Sequence, residues 1–241
     1  MAKYKIFGFV LPIVFGITAF FAVPRRQEPT SLSQSLPTKT RKKVDVNHFP
    51  VADFSSTGTK DSKRKLRGEK HNKSNWNVDP DALSDSTVIV DAVDVRLPAF
   101  PAQQSAAVVI GTVADAKAYL SEDKTGVYSA FVVLIEEVLK NPGKLSVGDF
   151  VEAEREGGRV KFPSGRVHLY KVSEQDMPLV GARYVLFLTG TDSESVFEIL
   201  TGYEIRGDSV YPLDELPQSR SYENATATNF IKELRTKLAN P

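Results

Sequence analysis

From residue 106 to residue 213 the chain reads as short extended runs separated by tight turn signals, a rhythm that excludes most folds. Residues 106–113 (AAVVIGTV) are almost wholly apolar and rich in valine. Residues 127–139 (VYSAFVVLIEEVL) form a longer run, apolar on both alternating faces for much of its length. Asn141, Pro142 and Gly143 then break the chain. In residues 150–156, Glu152, Glu154 and Glu156 fall on one side and Val151 and Ala153 on the other, as in a strand with one wet face. Gly157-Gly158 reads as a hairpin turn into residues 159–162, and Pro163-Ser164-Gly165 as a second turn into residues 166–172 (RVHLYKV). Residues 183–189 (RYVLFLT) are apolar on both faces and predict a central strand; residues 196–205 and 209–213 complete the set. Such short connections leave no room for the crossovers that parallel strands need.

The end of the chain changes period. Phe230, Ile231, Leu234 and Leu238 recur at helical spacing with Lys232, Glu233, Arg235 and Lys237 between them, and Asn224, Thr226 and Thr228 are suitable N-caps. Five or six curved antiparallel strands plus one helix predict a mainly β fold. The form favoured is a small OB-like antiparallel β-barrel, of the oligonucleotide/oligosaccharide-binding type, with a C-terminal α-helix; a two-sheet sandwich is the alternative. Upstream, residues 88–97 (VIVDAVDVRL) alternate well enough for an edge strand, which Pro98 and Pro101 stop.

Charge divides the chain further. Residues 25–80 hold thirteen Lys/Arg against six Asp/Glu, whereas residues 81–241 hold sixteen against twenty-four. Residues 25–80 also carry few large apolar side chains, too few to offset chain entropy. The reading is four parts: an N-terminal hydrophobic helix over 1–24, a basic disordered linker over 25–80, an irregular extension over 81–105, and the barrel with its helix over 106–241. Phe49, Phe54 and Trp76 stand as isolated aromatics in the linker.

Residues 6–23 (IFGFVLPIVFGITAFFAV) are uncharged and as a helix would span about 27 Å, enough for a bilayer core of about 30 Å. A processing site wants small residues at −1 and −3, and Phe20 before Ala22 and Ile17 before Ala19 are poor choices, so the run reads as an uncleaved signal anchor, with a cleaved signal peptide as the alternative. Lys3 and Lys5 favour an inside N-terminus, while Arg25, Arg26 and the cluster from Lys39 oppose export. Long soluble domains cross largely regardless of charge, so the expectation is a single-pass membrane protein with its folded part on the extracytoplasmic side, or a secreted or periplasmic one after cleavage. The linker clusters Arg41-Lys42-Lys43 and 63–67 (KRKLR) suit a solvated spacer or adhesion to anionic lipid or wall polymer.

Chemical signals are sparse. The chain has no cysteine, which removes thiol nucleophiles, thiolate metal sites and disulfides. No Walker-type loop or nucleophile elbow occurs, and no cofactor is expected. Of three histidines, His48 and His71 fall in the linker, leaving His168 alone in the folded part. Glu152, Glu154 and Glu156 read as a solvated acidic stripe. With His168 they would be metal ligands only if other strands contributed, since alternate positions lie about 7 Å apart. The densely charged double hairpin supplies the candidate ligand-binding residues Arg155, Arg159, Lys161, Arg166, His168 and Tyr170, through charge and stacking toward an anionic glycan or peptide. Cross-strand Glu–Arg pairing is the competing reading of the same residues.

The stretches VVIGTV (108–113), DKTGVYSAF (123–131), VEAEREGGRVKFPSGRVHLYKV (151–172), GARYVLFL (181–188) and ILTGYEI (199–205) resemble a family of exported bacterial proteins that has no assigned activity and lends no catalytic residues. The order of a GTV strand, a long second strand and a YVLFL strand is also similar in pattern to the barrel of tissue inhibitors of metalloproteases. Those inhibitors act through an N-terminal cysteine, which this chain lacks. The resulting expectation is a non-enzymatic, envelope-tethered binding domain whose partner is an envelope protein or glycan. An envelope hydrolase using strand carboxylates and a single-stranded nucleic-acid module are the alternatives, the last disfavoured by the acidic body.

Overall fold

Backbone hydrogen bonding in the computed structural model assigns most of residues 106–213 to strands, as their alternation predicts. The structure describes residues 46–56, 62–72, 76, 78, 80, 85–90, 94–141, 143, 145–190 and 196–239. All of them belong to the second of two units into which the chain divides, Val44–Pro241. The elements are a 3-10 turn (Val46–His48), β1 (Val51–Asp53), α1 (Ser62–Lys70), β2 (Thr87–Val90), β3 (Ala107–Leu120), β4 (Val127–Lys140), β5 (Phe150–Glu156), β6 (Gly158–Lys161), β7 (Val167–Val172), β8 (Arg183–Gly190), β9 (Val196–Arg206), β10 (Ser209–Pro212), a second 3-10 turn (Ser219–Tyr222), β11 (Ala225–Thr226) and α2 (Ala227–Ala239).

Two sheets result. The larger has the order β11-β10-β9-β5-β4-β3-β8, and β8 also pairs with β9. Five long strands, β3, β4, β5, β9 and β8, therefore bond in a circuit, each to two others. Four of those pairings are antiparallel and β5–β9 is parallel. The smaller sheet, β1-β6-β7-β2, has the antiparallel β6–β7 hairpin at its centre and a parallel strand on each flank. The expectation of antiparallel pairing throughout is thus corrected. Parallel partners need a long connection, and here β6, β7 and β8 intervene between β5 and β9, while β1 and β2 arrive from far upstream.

A second correction concerns Gly157-Gly158. These residues do not turn a hairpin: β5 pairs with β4 and β9, while β6 pairs with β1 and β7. They make the corner where the chain leaves one sheet for the other. Gly157 has φ +104°, and a Cβ there would sit 2.9 Å from both the Tyr170 carbonyl oxygen and Met177 Cε, so glycine answers both the backbone angle and the close approach.

β3 runs seven residues past its predicted end at Val113. Register shifts, the last between Val113 and Asp115, bend it so that its first half pairs with both β4 and β8 and its second half with β4 alone. Gly111 sits at one such shift, and a Cβ there would meet the Leu134 carbonyl oxygen at 2.5 Å and Val133 Cγ1 at 2.8 Å. Gly111→Ala is expected to destabilise the fold by about 1–3 kcal/mol, read from urea unfolding, because neither the strand backbone nor a β-branched neighbour can give way easily.

Three apolar clusters hold these layers. Val109, Val113, Phe131, Val133, Val151, Ala153, Leu186, Leu188, Phe197 and Ile199 pack together on the side to which alternate positions of the five-strand circuit point. On the other side, Phe230 and Leu234 of α2 pack against Val108, Ile110, Val185, Phe187, Tyr203 and Ile205, which is why the helical spacing of residues 224–238 was so legible. The third cluster joins Ala118 and Val127 to Val160, Phe162, Tyr170 and Val172 of the smaller sheet, and includes Ala52 and Trp76.

That last membership corrects the reading of residues 25–80 as a spacer. Within the described part, Phe49 and Trp76 are each only 1% exposed, β1 adds to the edge of β6, and α1 is ion-paired to β5. Averaged composition hides what two large aromatics and one strand edge can do. The remaining linker positions, and the apolar run at residues 6–23, lie outside the described residues; among the described residues no helix is long and apolar enough to cross a membrane.

Candidate functional site: an acidic, aromatic face clasped by a basic helix

Strand register explains the arrangement. Ala153 of β5 joins the core, so Glu152, Glu154 and Glu156 face the other way. Glu156 is opposite Tyr128 of β4, and Tyr128 is opposite Tyr119 of β3, so one row across three strands reads carboxylate, phenol, phenol. The two tyrosine rings stack with centroids 5.6 Å apart. Burial, and then the charge of Glu154, push the Tyr128 hydroxyl up to about 12, and burial raises Tyr119 as well, so both rings stay neutral.

The face is covered by α1, whose sequence SKRKLRGEK has almost no apolar content. Nine residues of this kind do not hold a helix in water. Its stability comes from what it touches. Arg64, Arg67 and His71, at i, i+3 and i+7, share one side of the helix. Arg64 pairs with Glu152 at 3.2 Å and lays its guanidinium over the Tyr119 ring at 3.7 Å. Arg67 pairs with Glu152 at 2.7 Å and stands 3.9 Å from Glu154. His71 stacks on Tyr128, with centroids 4.1 Å apart and planes 14° apart, its Nε2 3.6 Å from Glu154. Lys70 pairs with Glu198, both partly exposed. Gly68 lets the helix approach: a Cβ there would be 3.1 Å from the Glu122 amide nitrogen. Beyond the helix, Trp76 donates its indole N–H to Glu156 at 2.8 Å and meets Tyr170 edge-on at 5.8 Å.

The three glutamates are therefore not a solvated stripe. Glu154 is 1% exposed, and each of the three faces a donor from residues 64–76. Among the described residues, no group of three or more His, Asp or Glu side chains converges as a metal-binding set.

The candidates of the double hairpin are dispersed. Arg155 sits on the same side of β5 as Ala153, 2% exposed, with Nη2 donating to both Asp214 carboxylate oxygens at 2.7 and 2.8 Å and Nη1 to the Asp176 carbonyl at 2.6 Å. Asp176 in turn pairs with His48 Nε2 at 3.0 Å. Burial pushes the Asp176 carboxyl up, but the His48 contact and the Met177 N–H outweigh it and hold it below the usual carboxylate range. Arg159 donates Nε to the Phe49 carbonyl at 2.9 Å and Nη2 to the Asn47 carbonyl at 3.0 Å. His168 is buried edge-on against Phe162, and Tyr170 is buried beneath Trp76. Lys161 alone of the six is exposed, and Arg166 is half-buried. Arg159 thus seats residues 47–49 and Tyr170 seats Trp76, and His168 packs among aromatic rings, so the six do not make an open basic face.

Arg64, Arg67, His71, Tyr119 and Tyr128 were missed as a group. The available signal was the cation spacing in residues 64–71 beside a body carrying eight excess negative charges. No protein-family model matches the chain, and no curated protein is significantly similar to it.

Proposed function

We propose that this chain is a non-enzymatic, membrane-tethered binding module of the cell envelope, built on an OB-like barrel, and that its recognition surface is the acidic, aromatic face of β3–β5. The circuit of β3, β4, β5, β9 and β8, with one parallel closure between β5 and β9, supports the barrel reading. The observation that carries the function is the clasp on α1: two tyrosines and two glutamates hold Arg64, Arg67 and His71 by stacking and ion pairing. Those carboxylates meet cations, an arrangement for recognition that leaves none of them free as a paired acid and base. The apolar run at 6–23 supplies the tether, and the body faces outward. Arg64 and Arg67 are spent on carboxylates, so adhesion of this segment to anionic polymer would compete with the clasp.

Glu152 is the test position, being only half-buried and shared by both arginines. In the full chain embedded in nanodiscs, Glu152→Lys should raise the tryptic cleavage rate between Lys63 and Lys70 about tenfold, with little change in melting temperature; 1 M salt should move the unmodified chain the same way. Unchanged cleavage in both cases would show that charge does not hold the segment. Membrane fractionation with external protease tests the tether: the body should be digested from outside intact cells.

A further inference from the structure

α1 is attached by charge and stacking more than by apolar burial. Its one large apolar side chain, Leu66, is 60% exposed, and the only residue it buries is Gly68. Two polar atoms of the contact, His71 Nε2 and Glu154 Oε1, are buried without a hydrogen bond of good geometry among the described residues. A permanent interface of this size would carry an apolar anchor and satisfied polar groups. This one has charge complementarity and stacking in their place, so its occupant can be exchanged.

We infer that the face formed by Tyr119, Tyr128, Glu152 and Glu154 is a docking site for arginine-rich helices of a partner protein, and that α1 is the intramolecular occupant such a helix displaces. The inference rests on the recognition face proposed above. The geometry also sets the specificity. Arg64 and His71 present flat groups to ring faces, at 3.7 Å and 4.1 Å, whereas Lys65 lies exposed on the helix. A planar guanidinium stacks flat on a phenol ring and forks onto carboxylates, and an imidazole stacks likewise; an ammonium is drawn to a ring face, as Lys117 is to Tyr119 at 5.4 Å, but can neither stack flat nor fork. The favoured partner therefore carries Arg, Arg and His or Arg at i, i+3 and i+7, not merely a lysine-rich stretch. A tethered occupant competes at an effective concentration in the millimolar range, which masks the site from weak ligands until α1 is loosened.

The probe is a fluorescent peptide of residues 62–76 (SKRKLRGEKHNKSNW), titrated into the full chain in nanodiscs at low salt. Two variants loosen α1 without touching the face: Arg64→Ala/Arg67→Ala, and Gly68→Val, which wedges the helix off the Glu122 backbone. Peptide affinity should rise at least tenfold in either variant over the unmodified chain. It should fall at least tenfold when the peptide's two arginines are lysines, and again when Glu152→Lys is added. If neither variant binds while both keep the native melting profile, exchange is overturned. Equal binding of arginine and lysine peptides would overturn the stacking specificity, and a concentration-dependent dimer that excludes the peptide would assign the site to a second copy of this chain instead. The proteolysis result at Glu152 separates the two levels: faster cleavage with no peptide binding sinks the exchange and spares the recognition face, and unchanged cleavage sinks both.

Discussion

Deleting residues 1–80 should abolish cooperative folding of the remainder. The deletion removes Phe49 and Trp76, each 1% exposed in the intact fold. Truncating a buried Phe or Trp costs about 3–5 kcal/mol, and whole domains of this size are stable by only about 5–15 kcal/mol. The loss goes beyond apolar contact. β6 forfeits its partner β1, including the bonds from Arg159 N–H to the Pro50 carbonyl and from Phe54 N–H to the Lys161 carbonyl, so a bare edge is opened to other chains. The Arg159 guanidinium loses the carbonyls of Asn47 and Phe49, and Glu152, Glu154 and Glu156 lose their donors together. Near-ultraviolet circular dichroism and urea unfolding of the 81–241 fragment should show no sharp transition. The single substitution Trp76→Ala should cost about 3–5 kcal/mol in the full chain. A fragment unfolding cooperatively within about 1 kcal/mol of the intact chain would refute the placement of residues 46–76.

The second large effect is expected at the buried pair Arg155–Asp214. Asp214→Ala leaves a guanidinium that is 2% exposed without its counter-ion, and should destabilise by about 3–5 kcal/mol. Replacing both partners, as Arg155→Met with Asp214→Leu, should recover most of that loss, because the charge and its desolvation disappear together. A urea double-mutant cycle reads the difference. If the two single substitutions are as mild as surface changes, the pair is not where the structure places it. Neighbouring Asp176 adds a pH signature. Its native pKa lies below the usual carboxylate value, so the stability it lends is present above that ordinary value. The contribution is lost as pH falls through the native value, releasing the His48 tie.

The strands and the last helix were legible because their burial repeats locally: residues 183–189 are apolar on both faces and become β8, and the spacing of Phe230 and Leu234 marks the inner side of α2. Pairing was less legible. Gly157-Gly158 looks identical whether it turns a hairpin or moves the chain between sheets, and only the partners of β5 and β6 decide. The site was legible in its parts and not in its assembly. The alternation of Glu152, Glu154 and Glu156 fixed their shared side, but what covers them lies some ninety residues upstream in a segment whose polar composition reads as a spacer. Arg155 misled for the opposite reason: a charge is taken to face water unless its counter-ion is known, and Asp214 is fifty-nine residues away.

The central claim is that the basic helix lies on the acidic face of β3–β5, and the chain's lack of cysteine makes it directly testable. A Cβ built on Gly68 lies 3.6 Å from Glu122 Cβ, within the range that a disulfide spans. In full-length Gly68→Cys/Glu122→Cys, mild oxidation should close an intramolecular disulfide in nearly all molecules, seen as a two-dalton mass loss in a monomer and a linked pair of tryptic peptides. Two free thiols persisting under the same oxidation, in a chain with native circular dichroism, would contradict the account.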